Sequence, residues 1–256
     1  MALFRVSAGW VSKAFVLVWL ISSNAFAQPV VLEYTGDLNR TNVIRLSLND
    51  QPPRVSGSYF YKKWLKDIPL TGEYVGERGI VLREHDAQGR VTGTFSLEFV
   101  DKDPRQNFKD AVLKKEVLIG TWTGPDRQAP QRVYLRMTGE TRISDGQNRY
   151  SVAGAADPAL VERNAQAFYD AVLKGDRRAA SRYASYPLSY NDGGQRKQAA
   201  TAEIFVQAFS RIFTKSFVAR IREGIPHNMF ANSRGIMLGQ GEVWFNDEGK
   251  AFSLNN

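Results

Sequence analysis

The hydrophobic pattern of the chain changes its period near residue 157, and this change constrains the fold more than any other feature. Between residues 30 and 138, apolar and polar residues alternate, so that Ile44, Leu46 and Leu48 share one face. Such alternation is typical of strands with one buried and one solvated face. After residue 157 the apolar residues recur at helical spacing, as in the stripe Val161, Ala165, Phe168 and Val172. The sequence therefore predicts two units of different secondary structure.

The first unit is predicted to be an antiparallel β-domain over residues 28–140. Turn-forming stretches rich in Gly, Pro, Asn and Asp separate its alternating segments at nearly regular intervals. About eight short strands arranged in this way indicate a meander that curls into a barrel or a sandwich. Residues 141–156, which are rich in small and polar residues, are interpreted as a linker.

The second unit, residues 157–256, begins with a helix whose ends are marked in the sequence. Asp157 is a good N-cap, Pro158 suits the first helical position and Gly175 can end the helix. Another helical stripe starts near residue 201, and short alternating segments joined by turns close the chain from residue 235. The chain as a whole is therefore expected to belong to the α+β class.

Residues 1–27 have the pattern of a secretory signal peptide. An apolar run from Ala14 to Ile21 follows a basic start, and Ala25-Phe26-Ala27 supplies the small residues that precede cleavage. The run is much shorter than the roughly 20 residues that span a bilayer, so we expect no membrane span in the mature form. We expect cleavage after Ala27. An exported chain without disulfides favours a periplasmic location.

Composition excludes several classes of function. The 256 residues include no cysteine and two distant histidines, His85 and His227. Thiol catalysis, iron–sulfur clusters and sites built from several cysteines or histidines are thereby excluded, and we expect no metal and no cofactor. The net charge of +8 would suit nucleic acid, but export and the lack of a recognised motif argue against that partner. An acidic protein or an anionic envelope glycan is the expected partner.

Five short motifs in the second unit carry a family resemblance. They are Phe168-Tyr169, Lys174-Gly175-Asp176, Tyr186-Pro187-Leu188, Ile212-Phe213-Thr214 and Gly239-Gln240-Gly241-Glu242-Val243-Trp244-Phe245. With these motifs, residues 155–256 resemble the NTF2-like (cystatin-like) superfamily in its exported bacterial form. The resemblance implies helices packed on a short curved antiparallel sheet. That superfamily contains isomerases, dehydratases, immunity proteins and domains without activity, so the fold alone does not define a function.

Four motifs of the first unit carry a second resemblance. They are Gly57-Ser58-Tyr59-Phe60-Tyr61, Ile68-Pro69-Leu70-Thr71-Gly72, Gly89-Arg90-Val91-Thr92-Gly93 and Gly120-Thr121-Trp122. With these motifs the unit resembles small exported β-barrels of lipocalin type. The segment Ser56-Gly57-Ser58-Tyr59 is similar to the Ser-Gly loop through which periplasmic lysozyme inhibitors plug a hydrolase cleft, although it is one residue shorter.

Three residues are candidates for acid–base chemistry if the chain is an enzyme. His227 follows Pro226 in a predicted loop, and an imidazole titrates near neutral pH. Asp192 and Glu242 could line the cavity between helices and sheet in which enzymes of the NTF2-like superfamily hold their acids. Each also has a simpler interpretation, as a loop histidine, a turn aspartate and a strand-end glutamate. We therefore expect no catalytic residue.

A basic and aromatic segment of the first unit is the candidate surface for a partner. Its residues are Ser56, Tyr59, Tyr61, Lys62, Lys63 and Trp64. Alternation along a strand exposes one side of such an aromatic run, and exposed aromatic side chains often mark binding surfaces. The lysines beside Trp64 could contact an acidic protein or an anionic glycan.

The sequence favours a non-enzymatic periplasmic binding protein, an immunity or inhibitor protein that occludes a cell-wall hydrolase or a delivered toxin. Two alternatives stay open. One is an enzyme with an acid–base site in the second unit, and the other is a carrier of a small apolar ligand inside the first.

Overall fold

The computed structural model describes residues 30–106, 115–125, 129–143 and 147–256. The predicted signal peptide, residues 1–27, lies outside these ranges. Within them, every helix falls short of the length and hydropathy that crossing a bilayer requires.

Eight antiparallel strands form a closed barrel in chain order, because β1 pairs with β8 as well as with β2. The strands are β1 (Val30–Leu38), β2 (Asn42–Gln51), β3 (Arg54–Tyr61), β4 (Ile68–Val75), β5 (Gly79–His85), β6 (Val91–Phe99), β7 (Val117–Thr123) and β8 (Gln131–Arg142). The predicted antiparallel β-domain is confirmed, and it is a barrel rather than a sandwich.

One face of each strand fills the barrel. Ile44, Leu46 and Leu48, which share a face in the sequence pattern, are all buried in its interior. The rings of Tyr59 and Phe95 meet edge to face there, with centroids 5.1 Å apart. Alternation of period two thus produces an apolar core enclosed by a single curved sheet.

The barrel interior also contains a carboxylate, that of Glu84. Its Oε2 atom accepts hydrogen bonds from the Tyr59 hydroxyl at 2.5 Å and from the Trp122 indole at 3.1 Å. Buried polar groups are stable when they are paired, and each aromatic donor finds its acceptor here. Burial and the neighbouring carboxylate raise the pKa of Tyr59 far above its ordinary value.

Four helices follow the barrel. They are α1 (Pro158–Lys174), α2 (Arg177–Arg182), α3 (Ala202–Ile212) and α4 (Lys215–Glu223). The Asp157 side chain accepts hydrogen bonds from the backbone N–H groups of Ala159 and Leu160 and caps α1. Gly175 ends α1 with a φ of 71°, a left-handed conformation that glycine adopts without strain. The predicted boundaries of this helix are confirmed.

Six short strands form the sheet of the second unit. They are β9 (Ala184–Asp192), β10 (Gln195–Ala199), β11 (Phe230–Asn232), β12 (Gly235–Leu238), β13 (Val243–Phe245) and β14 (Ala251–Leu254), in the spatial order β10-β9-β14-β13-β12-β11. The sheet is mixed, because β14 runs parallel to β9. The expectation of a wholly antiparallel sheet is wrong at this pair. Two helices and four strands lie between β9 and β14 along the chain, so no hairpin fixes the relative direction of the two strands.

Phenylalanine side chains fill the space between these helices and the sheet. Phe168, Phe205 and Phe245 are completely buried, and the rings of Phe168 and Phe245 meet edge to face at 5.9 Å. Phe209 and Phe213 extend the cluster along α3. The second unit therefore has its own packed core, separate from that of the barrel.

Described residues of the segment predicted as a linker, 141–156, pack against both units. Tyr150 is completely buried in the core of the second unit, and a 3₁₀ turn, Ser151–Ala153, follows it. The preceding residue, Arg149, contacts the barrel. Arg149 and Tyr150 consequently join the two units, one through a half-buried side chain on the barrel and the other through a buried ring in the second unit.

Candidate functional site

The loop between β3 and β4 is attached to the second unit at both ends. We call residues 62–67 the Trp64 loop. At its start, the Lys62 ammonium donates to the carbonyl oxygens of Arg222 and Glu223, both at 3.4 Å, at the C-terminal end of α4. A cation at this end of a helix is favoured by the helix dipole. At the other end, Asp67 accepts hydrogen bonds from the second unit.

The middle of the Trp64 loop projects into solvent. Trp64 is 63% exposed, the highest value among the large apolar side chains of the described residues. Its ring packs edge to face on that of Tyr61, with centroids 4.8 Å apart, and the Lys63 ammonium lies 5.8 Å from it. Leu65 has a φ of 49°, in the left-handed region that a bulky side chain rarely adopts. Such backbone strain persists where the surroundings fix the chain, as the two anchored ends do here.

A shallow pocket of about 330 Å³ adjoins the exposed indole. Tyr61 and Trp64 form its apolar part together with Val43 from β2, and Lys62 and Lys63 form its basic part. No acidic side chain contributes to the described lining. The arrangement can therefore accept an anionic group and an apolar surface side by side.

His227 joins the Trp64 loop to α1. Its Nδ1 atom lies 2.5 Å from Oε2 of Glu162, and its Nε2 atom lies 3.2 Å from Oδ2 of Asp67. The edge-to-face contact of its ring with Phe60 has a centroid distance of 4.6 Å. We call His227, Glu162 and Asp67 the histidine clamp, because its members belong to both units.

Neighbouring groups complete the histidine clamp. The hydroxyl of Tyr150 donates to Oε1 of Glu162 at 2.8 Å, and the backbone N–H of Asn228 donates to the same atom at 2.9 Å. The Asn228 side-chain amide donates to Oδ1 of Asp67 at 2.9 Å. Both carboxylates are therefore held by fixed donors in addition to the imidazole.

Charge in the histidine clamp decides what His227 can do. Burial alone lowers the pKa of this imidazole, but hydrogen bonds and attraction from Asp67 and Glu162 outweigh burial and raise the pKa to about 9. For the same reason the pKa values of Asp67 and Glu162 are lowered, although burial acts in the opposite sense. At neutral pH His227 is an imidazolium between two carboxylates. Both nitrogens are protonated, so the ring cannot accept a proton as a general base.

A second buried cluster joins the barrel to the segment before α1. The Arg149 guanidinium donates to Glu33 at 2.5 Å and to the Ser47 hydroxyl at 3.2 Å, and that hydroxyl donates to Glu33 at 2.6 Å. Arg45 lies 3.9 Å from the same carboxylate, and burial lowers its pKa. Paired buried charges favour one relative placement of the two units, because any other placement leaves charges unpaired.

The other candidate acids lie apart from His227. Asp192, at the end of β9, pairs with Lys197 at 2.9 Å and with Arg211 at 3.7 Å. Glu242 accepts a hydrogen bond from the backbone of Gln240 and lies 3.8 Å from Arg220. Across the described residues, no hydrogen bond or ion pair connects Asp192, His227 and Glu242. Each of these three residues therefore has its own separate set of partners.

The predicted partner-binding residues divide into three groups. Tyr61, Lys62, Lys63 and Trp64 lie together at the Trp64 loop. Ser56 is exposed on the outer face of β3 and borders a different pocket, of about 370 Å³. Tyr59 points into the barrel and is only 1% exposed, so its assignment to an exposed partner surface is wrong. The physical reason is the period of the strand, which turns Tyr59 inward towards Glu84.

Sequence reasoning missed the carboxylates of the histidine clamp. Glu162 lies 65 residues and Asp67 lies 160 residues from His227 along the chain. No short motif links such distant positions. One available signal was Glu162 itself, which lies one position after the buried Val161 on α1 and so borders the face that packs against the rest of the unit.

Comparisons of the chain with protein-family models, with curated proteins and with solved structures gave no match.

Proposed function

We propose that the protein is a non-enzymatic binding protein of the bacterial periplasm. In this proposal it is an inhibitor or immunity protein whose Trp64 loop enters an acidic cleft of a cell-wall hydrolase or of a delivered toxin. The observation that carries the proposal is a highly exposed tryptophan on a loop whose two ends are fixed to a second unit.

An exposed, preorganised tryptophan supports binding. Tryptophan is among the residues that most often dominate the energy of protein interfaces, provided that it enters a pocket of the partner. Ordering a mobile loop would weaken binding, and anchoring through Lys62 and Asp67 removes much of that cost beforehand. The Trp64 loop is therefore suited to act as a plug that needs little rearrangement.

The charge of the Trp64 loop supports an acidic partner. Lys63 lies beside the indole and Lys66 is exposed in the same loop, and among the described residues neither forms an ion pair. Complementary charge accelerates encounter and disfavours basic competitors. An anionic envelope glycan is the second candidate partner, because the adjoining rings of Tyr61 and Trp64 offer an apolar surface for a sugar.

Two physical arguments favour binding over turnover. His227 carries its proton at neutral pH, so it is not available as a general base. Phenylalanines occupy the space between helices and sheet that an acid–base site of the second unit would need. The interior of the barrel is likewise occupied, by its own apolar side chains and by Glu84, which does not favour the carrier hypothesis.

We propose that residues 1–27 direct export and are removed after Ala27. We also propose that residues 157–256 are a shortened NTF2-like domain, since four helices pack there on a short sheet. The parallel pair of β9 and β14 is the feature that departs from the antiparallel sheet expected from that resemblance.

Affinity capture from periplasmic extract, followed by an assay of peptidoglycan hydrolysis, tests the proposed function. We expect the protein to retain an acidic cell-wall hydrolase or toxin and to inhibit its activity. Trp64→Ala should abolish retention, and Lys63→Glu should weaken it in a salt-dependent manner. Neither change should alter stability by more than about 0.5 kcal/mol, because both side chains are exposed.

Matched variants at the other end of the barrel provide the controls. Val75→Ala removes an exposed apolar side chain, and Lys102→Glu reverses an exposed charge, both far along the strands from the Trp64 loop. They should retain the partner and the inhibition. Capture that survives Trp64→Ala, or a captured hydrolase that stays fully active, would contradict the proposal. Retention on purified peptidoglycan with no captured protein would select the glycan instead.

A further inference from the structure

A groove of about 560 Å³ lies on the second unit, away from the barrel interior. The C-terminal end of α1, the C-terminal end of α3 and one face of α4 form its walls. The α4 residues are Lys215, Val218, Ala219 and Arg222, whose spacing places them on a single side of that helix. The volume falls within the roughly 300–1,000 Å³ range of small-molecule sites.

The floor of the groove is apolar. Phe209 and Phe213 line it, with ring centroids 4.4 Å apart, and Leu173 and Val218 flank them. These two phenylalanines keep 6% and 8% exposure, whereas Phe205 in the same cluster keeps none. The residual exposure lies where the groove reaches the core, so an apolar ligand would cover aromatic surface that water now contacts.

The rim of the groove is exclusively basic within the described lining. Lys174 ends α1, Lys215 begins α4 and Arg222 lies in its last turn. Among the described residues none of the three side chains forms an ion pair, although sixteen ion pairs occur elsewhere. Three unpaired cations around an apolar floor favour a ligand that combines an anionic group with a hydrocarbon surface.

We propose that this groove binds the anion of a medium-chain fatty acid, with the acyl chain on Phe209 and Phe213 and the carboxylate at Lys174, Lys215 and Arg222. The site does not depend on the proposed role of the Trp64 loop. Among the described residues the two sites share one residue, Arg222: its backbone carbonyl accepts a hydrogen bond from Lys62, whereas its side chain lines the groove.

Calorimetric titration of the purified protein with sodium dodecanoate tests the proposal. We expect saturable binding of one ligand per chain. Decanoate, which is two methylenes shorter, should bind about tenfold more weakly. Dodecanol should bind more weakly still, because it lacks the anionic group. Dodecyltrimethylammonium should also bind more weakly, because its positive charge is repelled by the three cations of the rim. Equal affinity for dodecanoate and dodecanol would overturn the role of the basic rim.

Substitutions at exposed positions locate the ligand. Ala219→Trp places an indole in the groove without touching the core, and the double variant Lys215→Glu, Arg222→Glu reverses the rim charge. Each should lower affinity at least tenfold. Arg234→Glu, an equally exposed charge reversal in the turn between β11 and β12, should have no effect, and circular dichroism verifies that all variants fold.

The Trp64→Ala variant separates this proposal from the proposed function. It should bind dodecanoate as the unaltered protein does. Absence of saturable binding would overturn the fatty-acid site and leave the Trp64 loop untouched. Binding that survives both groove variants would place the ligand elsewhere in the molecule and would overturn the site equally.

Discussion

Replacing His227 by glutamine should remove a pH-dependent part of the stability of this protein. Glutamine can still donate one hydrogen bond to Asp67 or Glu162, but it cannot carry the positive charge between them. The pKa of His227 is raised from an ordinary 6.5 to about 9 in the folded protein. At 1.36 kcal/mol per pKa unit, this difference corresponds to about 3 kcal/mol of stability.

The sign of the effect follows from proton binding. The folded protein binds the His227 proton more tightly than the unfolded chain, so the full contribution is present below pH 6.5 and is lost as pH rises through about 9. Asp67 and Glu162 have lowered pKa values, and their contribution is lost as pH falls through those values in acid. Because Asp67 is 41% exposed, solvent screens part of its attraction, and about 2 kcal/mol is the expected measured value.

Urea unfolding at pH 6 and at pH 10, monitored by tryptophan fluorescence, measures this contribution. At pH 6 the free energy of unfolding of the unaltered protein should be about 2 kcal/mol higher than that of His227→Gln. At pH 10 the two proteins should have similar free energies of unfolding. Comparing the two proteins at each pH cancels the titration of tyrosine and lysine. A difference between them that is the same at both pH values would refute the assignment of His227 as a buried cation.

Two further substitutions test the packing of each unit by urea unfolding. Phe205→Ala should lower the free energy of unfolding by about 3–5 kcal/mol, because it opens a cavity in a completely buried cluster. Ile204→Ala, at the exposed neighbouring position, should lower it by less than about 0.5 kcal/mol. Equal losses for the two variants would contradict the assigned core. Glu84→Leu should cost about 2 kcal/mol or more, since it leaves the Tyr59 hydroxyl and the Trp122 indole without their acceptor, and Glu84→Gln should cost less. Equal losses for these two would show that hydrogen bonding to Glu84 does not matter.

The fold was predictable where a local pattern is repeated along many residues. Alternation of period two places Ile44, Leu46 and Leu48 inside the barrel, and the capping pair of Asp157 and Gly175 bounds α1 as expected. The alternation and the helix caps each depend only on residues that are close together along the chain, so the sequence alone is sufficient to predict them. Closure of the barrel is different, because pairing of β1 with β8 joins the ends of a segment of more than 100 residues.

The hairpin of β9 and β10 shows where local patterns mislead. Residues 191–194, Asn-Asp-Gly-Gly, are a turn signal in the sequence, whereas the strands on either side carry no comparable signal. Leu188 and Tyr190 alternate as buried residues in β9, yet only five residues of β10 follow the turn, and four of those are exposed. A short strand at the edge of a sheet carries little hydrophobic pattern, because only one of its faces and one of its edges are covered.

The candidate site was predictable only in part, for the same physical reason. Trp64 and its lysines are adjacent in sequence, so the basic and aromatic composition of the loop is visible without a structure. The role of Asp67 is not visible, because it depends on His227 and Asn228, about 160 residues further along the chain. Functional residues that are adjacent in sequence can be predicted from the sequence, whereas a cluster of residues from two units can be identified only once the fold is known.

The two-unit architecture gives the Trp64 loop a property that a barrel alone would not provide. A six-residue connection on an isolated barrel has one surface to pack on and gains most of its order from its own turn. Here Lys62 reaches the end of α4 and Asp67 reaches His227, so the second unit fixes both ends while Trp64 stays in solvent. Asp67 and Glu162 are negatively charged above their lowered pKa values, and His227 keeps its positive charge below about pH 9. The attraction between the carboxylates and the imidazolium therefore operates only in the pH range between these limits. The order of the proposed binding loop, and not only the stability of the chain, is therefore expected to depend on the histidine clamp.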